Sequence, residues 1–145
     1  MNGSYHKKKI AVASPSFSQN LSLKNMLLQE VPSYEVIFCP QKIELKGNQL
    51  SHFLQESFCA IIGKEKVNSQ LLKNCPELKF ISKYGVGTDN IDFEACKEFG
   101  VKVFTQTGTN SRSVAELTLG LMLSTLRKIS LADRKVRQGV WKKYP

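Results

Sequence analysis

A chain of 145 residues, 41% hydrophobic with a mean hydropathy of −0.24, can bury one core of its own and has the balance of a soluble globular protein. Its 21 Lys and Arg against 12 Asp and Glu give a net charge of +9, but outside Lys7-Lys8-Lys9 and the stretch from Arg127 to Lys143 the bases are scattered, and neither cluster is interleaved with exposed-looking aromatics. A solvated basic surface is therefore expected, with no nucleic-acid partner. No apolar run approaches the ~20 residues of a membrane span, and the polar start from Met1 to Lys9 lacks the apolar centre of a signal peptide, so no membrane contact and a cytoplasmic location are expected.

In chain order, Lys9–Ala13 reads as a short buried strand ended by Ser14-Pro15-Ser16. Ser18–Gln29 carries Leu21, Leu23, Met26, Leu27 and Leu28 near helical spacing and stops at Val31-Pro32. Tyr34–Phe38 is a second strand, Gln49–Gln55 a helix with Leu50, Phe53 and Leu54 inward, and Phe58–Ile62 a third strand ended by Gly63. Val67–Cys75 reads as a helix closed by Pro76, Leu78–Ile81 as the fourth strand, Phe93–Phe99 as a helix with Gly100 as its left-handed cap, and Val101–Phe104 as the fifth strand. Short apolar strands alternating with helices predict an α/β fold: a flavodoxin-like parallel sheet of about five strands with helices on both faces.

Past Phe104 the character changes. Thr105–Asn110 is a polar loop, and Ser113-Val114-Ala115-Glu116 has the S-x-x-E spacing of a capping box. Leu117–Leu126 carries no charge and spreads its leucines around the helix, so a long apolar helix, buried on nearly every side, is expected. A second helix runs over Ser130–Gln138 to Gly139, and the chain stops at Trp141–Pro145.

Cys39, Cys59, Cys75 and Cys96 form no C-x-x-C pair and no metal-ligand spacing, so reduced thiols and no metal site are expected. The stretch Ser82-Lys83-Tyr84-Gly85-Val86-Gly87-Thr88-Asp89-Asn90-Ile91-Asp92 follows a strand and precedes a helix. A Gly-Val-Gly turn there lets backbone N–H groups approach a small anion, at the strand ends where α/β sheets bind ligands. The same glycines also suit a plain strand-to-helix turn, and Asp89, Asn90 and Asp92 suit helix N-caps.

The run from Leu78 to Asp92 closely resembles the substrate-domain signature of the D-isomer-specific 2-hydroxyacid dehydrogenases. Asn110-Ser111-Arg112-Ser113-Val114-Ala115-Glu116-Leu117 and Arg137-Gln138-Gly139-Val140-Trp141 resemble later signatures of the same family, in its order and spacing. The phosphoglycerate dehydrogenase branch is the nearest resemblance, and the likeness covers most of the chain from Phe58 onward. It implies a substrate-binding domain over residues 1–107 and the helical start of an NAD-binding domain over residues 108–145.

The resemblance implies that the Val86 and Gly87 amides hold the substrate carboxylate, with Asn110 beside the substrate and Ser111 and Val114 toward the nicotinamide of NAD or NADP. Lys64 and Lys66 are further substrate candidates or simple surface lysines. The family's catalytic arginine, histidine and carboxylate have no counterpart here, and His6 and His52 lie far upstream of the catalytic position. No G-x-G-x-x-G run is present. The chain is expected to be the substrate-binding part of a dehydrogenase, inactive by itself and unable to hold the cofactor tightly, and to pair as a homodimer through Val114–Leu126. A standalone small-anion-binding or dimerisation module without redox chemistry is the alternative.

Overall fold

Apolar runs too short to fold alone pair side by side in a computed structural model of the chain, which describes residues 7–40 and 42–141. Strands β1 (Lys9–Val12), β2 (Glu35–Phe38), β3 (Ser57–Ile62), β4 (Phe80–Lys83) and β5 (Lys102–Phe104) form one parallel sheet in the order β2-β1-β3-β4-β5. This is the doubly wound order of flavodoxin-type sheets, with its switch point between β1 and β3. Helices α1 (Pro15–Ser18), α2 (Leu21–Glu30), α3 (Gly47–Leu54), α4 (Ser69–Asn74) and α5 (Phe93–Glu98) make the connections. Two further helices, α6 (Ser111–Leu126) and α7 (Ile129–Arg137), follow, and the chain divides into two compact units, Met1–Thr107 and Gly108–Pro145.

Register decides what each face of the sheet buries. Ala11, Ala60, Ile81 and Val103 lie in one row across four strands, and the row packs with Leu50 and Leu54 of α3, Leu71 and Leu72 of α4, and Ala95 and Cys96 of α5. Burying a leucine such as Leu72 stabilises the fold by roughly 1.5–3 kcal/mol. Over the other face, the Lys24 ammonium of α2 sits 4.5 Å from the Phe38 ring centroid, and the Ser18 hydroxyl at the end of α1 donates to the Val12 carbonyl. Further along, Phe58, Phe80 and Phe104 form a row with ring centroids 5.1 and 6.1 Å apart. Phe58 joins it because the β1–β3 register jumps from Lys9↔Ser57 to Ile10↔Cys59, leaving Phe58 as the extra residue of a bulge. Burial pushes the Cys75 thiol up to about 11.

Several expected boundaries move for identifiable reasons. The expected helix over Val67–Cys75 begins only at Ser69, because Val67 pairs with Ile91 as a parallel bridge and Asn68 caps the helix by accepting from the Leu71 N–H. The fourth strand runs to Lys83 rather than ending at Ile81, since the Lys83 ammonium finds a carbonyl and can be buried. The Ser113–Glu116 capping box does not form: α6 starts at Ser111, and the Glu116 carboxylate instead accepts from Arg112 at 2.8 Å. The expected long apolar helix is corrected as well. Arg112 and Glu116 make its first turns charged, the Thr118 and Thr125 hydroxyls bond back to the Val114 and Leu121 carbonyls, and Leu117, Leu119, Leu121, Met122, Leu123 and Leu126 are exposed rather than enclosed. Among the described residues no helix is long and apolar enough to cross a membrane. His6 and the tail Lys142–Pro145 lie outside the described residues.

Candidate functional site

The carboxyl ends of three neighbouring strands release the loops that frame a cavity of about 740 Å³. Ser14, Pro15 and Ser16 follow β1; Gly63, Lys64 and Glu65 follow β3; Lys83 ends β4, and Tyr84, Gly85, Gly87, Asp89 and Asn90 follow it. Glu44 completes the wall. The position is the one the sheet's winding creates: connections from β1 and β3 leave toward opposite faces, which opens a crevice between the loops.

The loop after β4 has a backbone course that its glycines allow. Gly85 adopts φ 108°, open to glycine and strained for other residues. A Cβ on Gly87 would lie 3.3 Å from the Asp89 Oδ1 atom, so glycine there lets the turn close against that carboxylate. Among the described residues none of the N–H groups from Gly85 to Asn90, Val86 and Gly87 included, has an acceptor, whereas the Tyr84 and Ile91 N–H groups at either end donate to Ile62 and Thr88 carbonyls at 2.8 and 3.0 Å. Two adjacent open amides at a strand end are donors ready for a small carboxylate. Gly85 and Gly87 line the cavity; the half-buried Val86 lies between them and does not.

This loop is tied to the one after β3. Val67 N–H donates to the Asn90 carbonyl at 2.8 Å and Asp92 N–H to the Val67 carbonyl at 3.0 Å. The Asn90 side-chain amide donates to the Gly63 and Glu65 carbonyls at 3.2 and 2.7 Å. Asp92 is the cap of α5, accepting from the Ala95 N–H at 2.9 Å. The three polar residues of the signature thus separate: Asp92 caps, Asn90 clamps and Asp89 faces the cavity.

Two buried charges meet at Gly63. The Lys83 ammonium, in a residue 9% exposed, donates to the Gly63 carbonyl, and the Glu65 Oε2, in a residue with no exposed surface, accepts the Gly63 N–H at 2.6 Å. The other Glu65 oxygen is buried with no partner among the described residues. No carboxylate lies within ion-pair distance of Lys83 among the described residues.

Of the residues singled out from the sequence, Gly87 and Lys64 line this cavity, and Val86 stands next to Gly87 in the same loop without lining it. Lys66 does not; it lines a separate cavity of about 430 Å³ with Asn68 and Gln70. Asn110, Ser111 and Val114 stand in the second unit, at the first turn of α6, where the Val114 N–H donates to the Asn110 carbonyl at 2.9 Å. His52 lies in the last turn of α3, in a depression shared with Lys9 and Glu56. Among the described residues no group of three or more His, Cys, Asp or Glu is placed to hold a metal. Ser14, Glu44, Glu65 and Lys83 were given no site role from the sequence, and Asn90 was read only as a cap candidate. Lys83 carried a readable signal, a lysine two residues beyond Ile81 and therefore on the same inward face of its strand; Glu65 carried none.

Residues 11–140 match the family model of the D-isomer specific 2-hydroxyacid dehydrogenase catalytic domain. The chain is 35% identical over 133 residues to a D-3-phosphoglycerate dehydrogenase of Methanocaldococcus jannaschii, covering 92% of this chain and 24% of that protein. It is 41% identical over 100 residues to a hydroxypyruvate reductase of Thermotoga maritima, covering 68% of this chain and 33% of that protein. Among solved structures, NAD+-bound 3-phosphoglycerate dehydrogenase of Entamoeba histolytica superposes with a TM-score of 0.70 at 28% identity, over 84% of this chain and 40% of that one. The chain thus spans a third or less of the length of these curated relatives.

Proposed function

Because the chain belongs to the D-isomer specific 2-hydroxyacid dehydrogenase family, we propose that it forms the substrate-binding part of an NAD-dependent enzyme that interconverts 2-hydroxy and 2-oxo acids by hydride transfer. The observation that carries the reading is the pair of open Val86 and Gly87 amides in the loop whose Gly85 and Gly87 line the strand-end cavity. On this reading they hold the substrate carboxylate through two N–H donors, fixing the orientation of the neighbouring C2 carbon without adding a charge. Lys64 lines the same cavity and is assigned to the substrate, and the family resemblance adds Asn110.

The residues present do not by themselves fit a dinucleotide. They include no G-x-G-x-x-G run to cradle a pyrophosphate, and among the described residues no histidine that could exchange a proton with the substrate oxygen lines the cavity. Hydride transfer on this reading needs groups outside these 145 residues, and the chain alone is expected to bind but not to turn over. Ser111 and Val114 are assigned to the nicotinamide side, and the exposed apolar residues of α6 to a subunit contact within a homodimer.

Titrating the chain with glyoxylate while following backbone amide resonances tests the carboxylate site. Shifts centred on Gly85–Gly87 are expected, and their absence at 50 mM glyoxylate, against a chloride control, would remove the reading. One observation favours a second reading, a small-anion module without redox chemistry: the open amides and their cavity are complete within the first unit. Oxidation of NADH by 2-oxo acids, assayed on the longest natural reading frame that contains this chain, separates the two.

A further inference from the structure

The cavity's charge pattern discriminates among acids. Two lysines, Lys64 and Lys83, stand against three carboxylates, Glu44, Glu65 and Asp89. Lys64 is exposed and its charge is screened, whereas Lys83 is buried and meets only the neutral Gly63 carbonyl among the described residues. A buried ammonium with no carboxylate in ion-pair distance among the described residues is stabilised by an arriving anion. Glu65 works in the opposite sense: it has no exposed surface, one of its oxygens is unpartnered, and its field is weakly screened. Asp89 adds a carboxylate beside Gly87, and Glu44 closes the remaining wall.

We propose that this cavity selects 2-hydroxy and 2-oxo acids carrying a single negative charge, with Lys83 facing the substrate carboxylate and Glu65, aided by Glu44 and Asp89, repelling a second anionic group such as a phosphoester. The proposal rests on the substrate-site reading above and names the substrate class for it. Lys83 and Glu65 share one glycine, Lys83 on its carbonyl and Glu65 on its N–H, so the attracting and the repelling charge are held in fixed positions by the same short turn. A phosphate entering the cavity brings about two further negative charges into a wall that already has an excess of carboxylates. At the separations a 740 Å³ cavity allows, this discriminates by at least about tenfold in affinity.

The test is a comparison of D-glycerate with D-3-phosphoglycerate, which share the carboxylate and the 2-hydroxyl and differ by the phosphate. Dissociation constants are read from the Gly85–Gly87 amide resonances of the 145-residue chain. Glycerate is expected to bind at least tenfold more tightly. In Glu65→Gln, which keeps an acceptor for the Gly63 N–H, that ratio is expected to fall at least fivefold. Lys83→Met is expected to lose glycerate affinity at least tenfold, with recovery in Lys83→Arg. Equal binding of the two acids, or tighter binding of the phosphorylated one, overturns the selectivity and leaves the carboxylate site standing. Failure of both acids to move those amides removes the site itself and the selectivity with it. The wild-type ratio decides the point even where a variant fails to give a folded amide spectrum.

Discussion

Replacing Asn90 with alanine should uncouple the two loops that frame the cavity. Its side-chain amide is the donor to both the Gly63 and the Glu65 carbonyls, at 3.2 and 2.7 Å. The Gly63 carbonyl keeps Lys83, but the Glu65 carbonyl is left to find water. Two lost hydrogen bonds at about 1 kcal/mol each, with up to about 1 kcal/mol more for the orphaned carbonyl in a half-buried place, give a destabilisation of roughly 2–3 kcal/mol. For a unit of this size that lowers Tm by about 10 °C or more. Urea unfolding followed by circular dichroism measures it, and Asn90→Asp is the matched control: it keeps the size, removes the donor and turns a carboxylate toward two carbonyls, so it should cost at least as much. Anion binding should weaken in parallel, because the turn carrying Gly63 and Lys64 is no longer registered against Gly85–Gly87. If both variants unfold within about 0.5 kcal/mol of wild type, the clamp is not what holds the loops and the reasoning fails.

Gly85→Ala should destabilise by about 1–2 kcal/mol through backbone strain alone, since a Cβ there meets nothing within 4 Å while φ is 108°. Gly87→Ala has ordinary φ and a single contact to the Asp89 carboxylate, so it should be the milder change despite the tighter space; the reverse order in urea midpoints would refute this. The Lys9–Glu56 hydrogen bond, 2.7 Å long, raises the Lys9 pKa above 10.5 and lowers that of Glu56 below 4.5. The stability it adds is therefore full between about pH 4.5 and 10.5, falls as acid protonates Glu56 and falls again as base neutralises Lys9. The stability difference between wild type and Glu56→Gln should show that plateau, and a pH-independent difference would contradict it. The uncovered leucines of α6 lead us to expect a dimer in light scattering at micromolar concentration, and a clean monomer would count against the subunit contact.

Much of this protein was legible in one dimension. Five apolar runs separated by helical stretches specify a parallel sheet because strands buried on both faces read as short continuous apolar segments. The Gly-Val-Gly turn was visible because only glycine tolerates the φ of Gly85, and the family resemblance needed only residues in order. What the sequence left open were questions of partner. Asp89, Asn90 and Asp92 were interchangeable as cap candidates until Asp92 was found bonded to Ala95 and Asn90 to a loop 25 and 27 residues away. Lys64 and Lys66 were equivalent until the turn at Gly63 sent them to different cavities. The charge-free run after Glu116 overstated how enclosed α6 is, because its leucines stand exposed and a composition count cannot register what packs on a helix. Lys83 and Glu65 became a pair only through the parallel register of β3 and β4, which brings Gly63 beside Lys83. Local propensity and glycine geometry are properties of a residue and its neighbours, whereas a buried charge takes its meaning from the group across the sheet, which only the tertiary structure supplies.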